Sequence, residues 1–199
     1  MIPVRPEQAL RAGDLLLEPI LPAHAAQLFD HLQAPELYTF IPHEAPASVQ
    51  ELASRYERWS ARQAPDGSEI WLNYAIYRPA SEQYVGTLQA TVNSSGTAFI
   101  AYEVFPAHWR RRYARTACIA LVAHVFACYD QVDEVTALLD TRNEASWRLL
   151  ESIGFTRAGE IEAADWFKGA SSDEYIYKIM RREFAAAHPI PACGTDLPS

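Results

Sequence analysis

The stretch "YEVFPAHWRRRYARTA" (residues 102–117) joins a strand-like segment to an apolar helix through a short arginine-rich turn. Four arginines lie within six positions there: Arg110, Arg111, Arg112 and Arg115. A helix N-terminus carries partial positive charge, so each cation near it is unfavourable by about 0.3–1 kcal/mol. We therefore expect either a bound anion or neighbouring carboxylates to compensate the cluster.

The turn has the local architecture of an anion site. A strand, a short turn and a helix start together expose backbone N–H groups. Arginine side chains match phosphate oxygens in a bidentate manner. The pattern predicts a phosphate or pyrophosphate cradle, and the alternative is a solvated helix start whose arginines pair with nearby carboxylates.

The composition of the whole chain is that of one globular α/β domain, with 199 residues, 49% of them hydrophobic and 21% charged. The formal net charge of −8 disfavours a nucleic-acid partner. No signal peptide and no membrane-spanning run is recognisable. Three irregularly spaced cysteines argue against a disulfide framework and a metal site, and favour a reducing, cytoplasmic location.

The predicted elements run strand, two helices, three strands, helix, strand, helix and two strands. Periodicity and turn residues place strands at 14–20, 70–77, 83–92, 97–105, 134–140, 156–167 and 172–180, and helices at 22–33, 46–63, 114–129 and 143–154. Ser48 and Glu51 have the spacing of a capping box. The strands on either side of the long helix are expected to be parallel neighbours. One domain is predicted over residues 1–184, with a loose tail at 185–199.

Residues 14–183 resemble the GNAT family of acyl-CoA-dependent N-acyltransferases, and more narrowly its RimJ/RimL-like branch. The opening stretch is similar to the family's acyl-CoA loop, and "LLDTRNEASWRLLESIGFTRAGEI" (138–161) is similar to the more specific segment that follows. Further similarities lie in "LLLEPILPAHAAQLFDHLQAPEL" (15–37) and "YVGTLQA" (84–90). The resemblance implies a GNAT fold, in which a mixed, mostly antiparallel seven-stranded sheet carries helices on both faces.

The resemblance also implies acetyl-CoA as co-substrate. Its pantetheine arm would pair with backbone at Val104 and Phe105, and Asn143 would bind the pantetheine side. Its pyrophosphate would rest on the turn formed by Arg110, Arg111, Arg112, Tyr113, Ala114 and Arg115. Arginine replaces the usual glycine at positions 110 and 112, and we expect right-handed helical backbone angles to accommodate it there.

For the chemistry, the resemblance implies direct attack of an amine on a thioester. The usual acid early on the strand is absent, so Glu103 is the candidate base, although it could instead be a solvated strand carboxylate or an arginine partner. Leu150 stands at the position of the family's tyrosine. Ser146 is then the candidate donor to the leaving thiolate, unless it only satisfies a helix backbone group.

Four residues are candidates to line the acceptor pocket, although aromatic residues on strands are more often core: Glu69, Trp71, Tyr74 and Trp166. The predicted activity is N-acetylation of a primary amine, on a small cationic molecule such as an aminoglycoside-like antibiotic or on a protein N-terminus. The alternative is a non-catalytic acyl-CoA-binding module or sensor. A homodimer is one assembly that the resemblance allows.

Overall fold

The computed structural model of this protein describes residues 8–194, which form one sheet with helices on both faces. The strands are β1 (Leu10–Ala12), β2 (Leu15–Pro19), β3 (Glu69–Arg78), β4 (Gln83–Asn93), β5 (Thr97–Val104), β6 (Glu134–Asp140), β7 (Thr156–Phe167) and β8 (Ala170–Met180). The α-helices are α1 (His24–Leu28), α2 (Val49–Ser60), α3 (Tyr113–Cys128), α4 (Glu144–Ile153) and α5 (Arg181–Ala187). The strand order is β1-β2-β3-β4-β5-β6-β8-β7.

The sheet is mixed and mostly antiparallel, as predicted, but it has eight strands among the described residues rather than seven. The additional strand is β1, which folds back onto β2 and pairs Leu10 with Leu17. The turn between them contains Gly13 at φ +61°, a backbone conformation that favours glycine. A three-residue strand is too short for its alternation to be recognised in the sequence.

The helix predicted over residues 22–33 is wrong in its length. Here α1 ends at Leu28, and two 3₁₀ turns follow, His31–Gln33 and Pro35–Tyr38. Pro35 disfavours the helical conformation at Ala34, whose ψ of 117° is extended. The Ser48 half of the capping box of α2 is confirmed, because the Ser48 side chain accepts a hydrogen bond from the backbone N–H of Glu51. The Glu51 carboxylate accepts from the N–H of Ala47 instead of that of Ser48.

The feature of the sheet that positions the site is a gap between β5 and β6. These two strands are parallel, as predicted, and their pairing runs only from Thr97 and Glu134 to Phe99 and Thr136. Beyond these residues β5 continues to Val104 paired with β4 alone, while β6 continues paired with β8. We call this space the β5–β6 gap, and the arginine turn lies where β5 ends.

The main core lies between the sheet and α3, and a smaller cluster lies beneath α1 and α2 on the opposite face. Helix α3 is apolar nearly all round, because α4 and the sheet cover it. The guanidinium of Arg181 donates to backbone carbonyls of Phe126, Tyr129 and Val132, which fixes the end of α3 against α5. Within residues 8–194, no helix is long and apolar enough to cross a membrane.

The expectation that the cysteines form no disulfide is corrected by the structure. Cys128 at the end of α3 is bonded to Cys193, and Cys118 is a buried free thiol. The C-terminal segment that was expected to be loose continues α5 to Ala187 and is tied to α3 through this bond. Spacing could not reveal the pair, because 65 residues separate its members. Residues 195–199 lie outside the described part of the chain.

Candidate active site

The backbone of β5 presents polar groups to the β5–β6 gap at Val104. The N–H of Phe105 donates to the Val85 carbonyl at 2.9 Å, so it points toward β4. Because hydrogen-bonding directions alternate along an antiparallel strand, the polar groups of Val104 point toward the gap. The Val104 carbonyl accepts from the indole of Trp109 at 2.6 Å, which leaves the Val104 N–H as the donor on the gap side.

Phe105 departs from the predicted role in pairing with a pantetheine arm. Its N–H is engaged by Val85, and its carbonyl accepts from the N–H of His108 at 2.8 Å. Its ring is buried beneath α1 and stacks against His31. Phe105 therefore anchors the end of β5 and does not present its N–H to the gap.

The arginine turn ends in a helix start with free N–H groups. The first backbone hydrogen bond of α3 runs from Thr116 N–H to the carbonyl of Arg112, and the side chain of this N-cap residue makes no capping hydrogen bond. The N–H groups of Tyr113, Ala114 and Arg115 precede that bond, so they are available to an anion. The helix has 16 residues, enough for its dipole to add to the attraction.

Backbone conformation in the turn differs from our expectation for arginine. Arg110 has φ +61° and Arg112 has φ +64°, both in the left-handed region rather than the right-handed one. These are the two positions where the family pattern carries glycine, so the turn keeps the glycine-type backbone without the glycines. A non-glycine residue in this region is strained by about 1–2 kcal/mol.

Charge in the turn is not neutralised by the protein. Arg110, Arg111 and Arg112 are exposed, and no carboxylate of residues 8–194 lies within ion-pair distance of them. Arg115 instead donates to the Ser152 carbonyl near the end of α4 at 3.2 Å. Burial and then the positive charge of Arg111 lower the pKa of His108. The interpretation in which carboxylates compensate the arginines is therefore not supported.

The far side of the gap is built by the turn from β6 into α4. Asn143 is the N-cap of α4, and its side-chain oxygen accepts from the N–H of Ser146 at 3.2 Å. That oxygen therefore holds the helix start, and the amide nitrogen is the group that Asn143 can offer to a ligand. Gly154 ends the helix at φ +110°, as its position predicted.

Asp140 fixes this turn and was missed from the sequence. Its buried carboxylate accepts from the backbone N–H and guanidinium of Arg142, and from the Ser172 hydroxyl at 2.7 Å. Burial alone would raise the pKa of Asp140, but these hydrogen bonds lower it to about 2. The Asp140 carbonyl also accepts from the N–H of Asn143. A lone aspartate at a strand end gives no sign of such a network.

Two hydroxyl groups meet across the gap, one from β5 and one from α4. Tyr102 Oη lies 2.7 Å from Ser146 Oγ and 3.2 Å from the Ser146 carbonyl oxygen. Burial raises the pKa of Tyr102, so its hydroxyl is protonated. Leu150 is fully buried and has no polar atom to contribute. Tyr102 was also missed, although it alternates with Ile100 on the strand face that packs against α3.

Glu103 lies on the opposite face of β5, toward α2. Its carboxylate accepts from the Thr87 hydroxyl at 3.4 Å, and burial raises its pKa above the ordinary value. The hydrogen bond from Thr87, and then the positive charge of Arg55, lower that pKa to a smaller extent. The guanidinium of Arg55 is bonded to Glu51 at 2.9 Å. Glu103 is half-buried, and within residues 8–194 it forms no ion pair with an arginine. Its role as a base stays a prediction, and so does the alternative of a strand carboxylate on a partly solvated face. A Cβ at Gly86 would overlap the Glu103 carbonyl, so glycine is what allows β4 to approach here.

The four candidate acceptor residues do not come together. Tyr74 is fully buried in the core on the α3 side, which corrects its assignment to the pocket. The indole of Trp71 donates to the Glu69 carboxylate at 2.9 Å. The strand register places Trp71 four residues along β3 from the position that lies level with Glu103, which is a distance of about 13 Å. Trp166 is 71% exposed on the β7–β8 hairpin.

The same hairpin also contacts the segment that joins α1 to α2. The ammonium of Lys168 at its tip donates to the backbone carbonyl of Tyr38, in the segment between α1 and α2. Burial and then the charge of the Glu103 carboxylate raise the pKa of both Tyr38 and Tyr56. Tyr38 is thus in contact with the hairpin and within the electrostatic reach of Glu103.

Comparison with known proteins gives this geometry its context. Residues 14–156 match the family model described as an acetyltransferase (GNAT) domain. The chain is 25% identical over 174 residues to the uncharacterized N-acetyltransferase YoaA of Bacillus subtilis, covering 86% of this chain and 96% of that protein. It is also 25% identical over 114 residues to the uncharacterized N-acetyltransferase p20 of Bacillus licheniformis, covering 56% and 64%.

Solved structures share the fold. RimL, the ribosomal L7/L12 α-N-protein acetyltransferase in complex with coenzyme A, superposes with a TM-score of 0.77 at 16% identity, over 87% of this chain and 98% of that one. Spermidine N-acetyltransferase from Vibrio cholerae, in complex with CoA and spermine, gives 0.72 at 16% identity, over 86% and 98%. Since the family model covers well over half of its residues, this protein belongs to the GNAT acetyltransferase family, whose members take their acyl group from acetyl-CoA.

Proposed function

We propose that this protein transfers the acetyl group of acetyl-CoA to a primary amine by direct attack. The observation that carries the proposal is the β5–β6 gap. It has an uncompensated arginine turn at its mouth, a carboxylate with a raised pKa on one face, and a paired hydroxyl on the other. These are the three groups that aminolysis of a phosphate-bearing thioester requires.

The arginine turn is proposed to bind the pyrophosphate. The N–H groups of Tyr113, Ala114 and Arg115 point at the anion, and Arg110, Arg111 and Arg112 supply positive charge around it. Arg115 contributes through its N–H, because its guanidinium is directed to α4. The amide nitrogen of Asn143 is proposed to bind the pantetheine side.

In the proposed reaction the amine nitrogen attacks the thioester carbonyl, whose oxygen accepts from the N–H of Val104. Glu103 takes the proton from the nitrogen, directly or through one water. The C–N bond forms, the C–S bond breaks with its electron pair going to sulfur, and Ser146 donates a hydrogen bond to that sulfur. A raised pKa suits Glu103 to this role, because the ideal pKa of a base lies near the working pH.

The proposed acceptor is a small cationic amine. Lys168 of the β7–β8 hairpin contacts Tyr38, which also lies within the electrostatic reach of Glu103, and an acceptor site enclosed by these groups would favour a small molecule over a polypeptide terminus. The formal net charge of −8 favours a cation. A protein N-terminus is the second acceptor class, and the RimJ/RimL-like branch is supported by the likeness to RimL.

A non-catalytic acyl-CoA-binding module is the second candidate function. Strained arginines at two glycine positions and the buried Leu150 are the observations that favour it. The homodimer stays a prediction, and so does the cytoplasmic location. The bond between Cys128 and Cys193 would be more persistent outside a reducing compartment.

A panel of amines with acetyl-CoA tests the function, with coenzyme A release as the readout. The panel contains spermidine, an aminoglycoside and a peptide with a free N-terminus. We expect turnover with a small cationic amine, and at least a tenfold loss of kcat in Glu103→Gln and in Ser146→Ala. Turnover that neither change lowers would overturn the assigned roles, and acetyl-CoA binding without any turnover would support the non-catalytic module.

A further inference from the structure

We infer that Tyr102 is a positioning residue for the transfer: its hydroxyl orients the Ser146 hydroxyl toward the departing sulfur of the acyl donor. The inference rests on the proposed function, because it concerns the leaving group of the same reaction. It adds a residue of β5 to a step that the family pattern assigns to α4 alone.

The contact between the two hydroxyls spans the β5–β6 gap. Tyr102 lies three residues beyond Phe99, the last residue of β5 that pairs with β6. Its oxygen is 2.7 Å from Ser146 Oγ and 3.2 Å from the Ser146 carbonyl oxygen, so one hydroxyl reaches both oxygens of that residue. The Tyr102 ring packs against the core, which restricts where its hydroxyl can point.

The protonation state of Tyr102 sets the direction of this hydrogen bond. Burial keeps the phenol protonated, so it has a proton to donate. When the Ser146 O–H turns toward a sulfur in the gap, Ser146 Oγ is left as the acceptor for Tyr102. Without that donor, the serine hydroxyl is free to bond a carbonyl of its own helix instead. Tyr102 thus selects the serine orientation that serves the leaving group.

The surroundings explain why β5 supplies this hydroxyl. Leu150 occupies the place where the family pattern carries a tyrosine, and it is fully buried in the core. A tyrosine hydroxyl therefore reaches the gap from the opposite wall. Tyr102 gives up no proton. The sulfur leaves as a thiolate with its electron pair, and Ser146 donates a hydrogen bond to it. The thiolate then takes a proton from solvent, and Glu103 releases to solvent the proton that it took from the amine.

The test compares binding of coenzyme A with binding of desulfo-coenzyme A, which lacks only the sulfur. The calorimetric titrations are run at pH 9, because an ordinary thiol, of pKa about 8.5, is largely thiolate at that pH. We expect the wild-type protein to prefer coenzyme A by about tenfold, and Tyr102→Phe to lose most of that preference. Ser146→Ala should lose it equally, and the double variant should resemble Ser146→Ala alone.

The matched control is Tyr177→Phe. Tyr177 also packs in the core and donates to a side chain of α4, Glu151, at 2.9 Å, but from β8. This variant should keep the preference for coenzyme A, and thermal unfolding of all variants checks that they fold. In turnover, Tyr102→Phe should lower kcat about tenfold and leave the KM for acetyl-CoA within twofold.

The possible results separate this inference from the proposed function. A Tyr102→Phe protein that folds and keeps the wild-type preference for coenzyme A would overturn the inference alone. A double variant whose loss of the preference for coenzyme A equals the sum of the two single losses would also overturn the inference alone. Failure of the wild-type protein to bind either compound would overturn the proposed function, and the inference with it.

Discussion

The left-handed arginines of the turn predict that glycine is more stabilising there than alanine. Alanine at positions 110 and 112 keeps the unfavourable conformation at φ +61° and +64°, whereas glycine adopts it without strain. The relief is about 1–2 kcal/mol per residue, and the greater freedom of glycine in the unfolded chain offsets about 0.4–1 kcal/mol of it. For both positions together, the net difference is about 1–2 kcal/mol in favour of glycine.

The two double variants, Arg110→Gly/Arg112→Gly and Arg110→Ala/Arg112→Ala, lose the same charges and the same exposed side chains. Urea unfolding measures the difference in the free energy of unfolding. Thermal unfolding should show a higher Tm for the glycine pair, by about 2–4 °C per kcal/mol in a domain of this size. An alanine pair as stable as the glycine pair would refute the assignment of left-handed backbone to this turn.

Three further predictions concern the carboxylates and the disulfide. Glu103→Gln should raise the free energy of unfolding at neutral pH, because the raised pKa of Glu103 in the folded state means that its ionisation destabilises the fold. In urea titrations the gain should disappear as the pH falls below the ordinary pKa of a glutamate, and a gain unchanged at low pH would contradict this prediction. Asp140→Asn should lower the free energy of unfolding by about 2 kcal/mol at neutral pH, and by less as the pH falls from about 4 toward 2, because the pKa of Asp140 in the folded state is about 2. A loss of stability that does not depend on pH would speak against the hydrogen-bond network of Asp140. Cys193→Ser should lower stability by up to about 4 kcal/mol, because the bond closes a loop of 65 residues; thiol quantification showing three free cysteines in the wild-type protein would contradict this.

Elements with strong periodicity were predictable because local patterns determine them. The cap at Ser48, the stop at Gly154 and the parallel pairing of β5 with β6 each follow from residues close together in the sequence or from chain topology. The face of the sheet on which a candidate site residue lies was also partly predictable from the sequence. Tyr74 shares its alternation with Leu72 and Ile76, which would have placed it in the core had the helix-covered face been known.

The rest depends on contacts between residues far apart in the chain. Tyr102 and Ser146 are 44 positions apart, and the pair formed by Asp140 and Ser172 is 32 apart. No local pattern encodes such distances. The left-handed turn was also mispredicted, since Arg112 adopts a backbone conformation against its own preference and no local pattern indicates it.

The central claim, an acyl donor held in the β5–β6 gap by the arginine turn, is tested most directly by a calorimetric titration with acetyl-CoA. It is run on the wild-type protein and on the Arg110→Ala/Arg111→Ala/Arg112→Ala variant. We predict micromolar binding by the wild-type protein and a loss of at least tenfold in the variant, because the variant removes the charge around the pyrophosphate. Absence of binding by the wild-type protein, or equal binding by both, would contradict the claim.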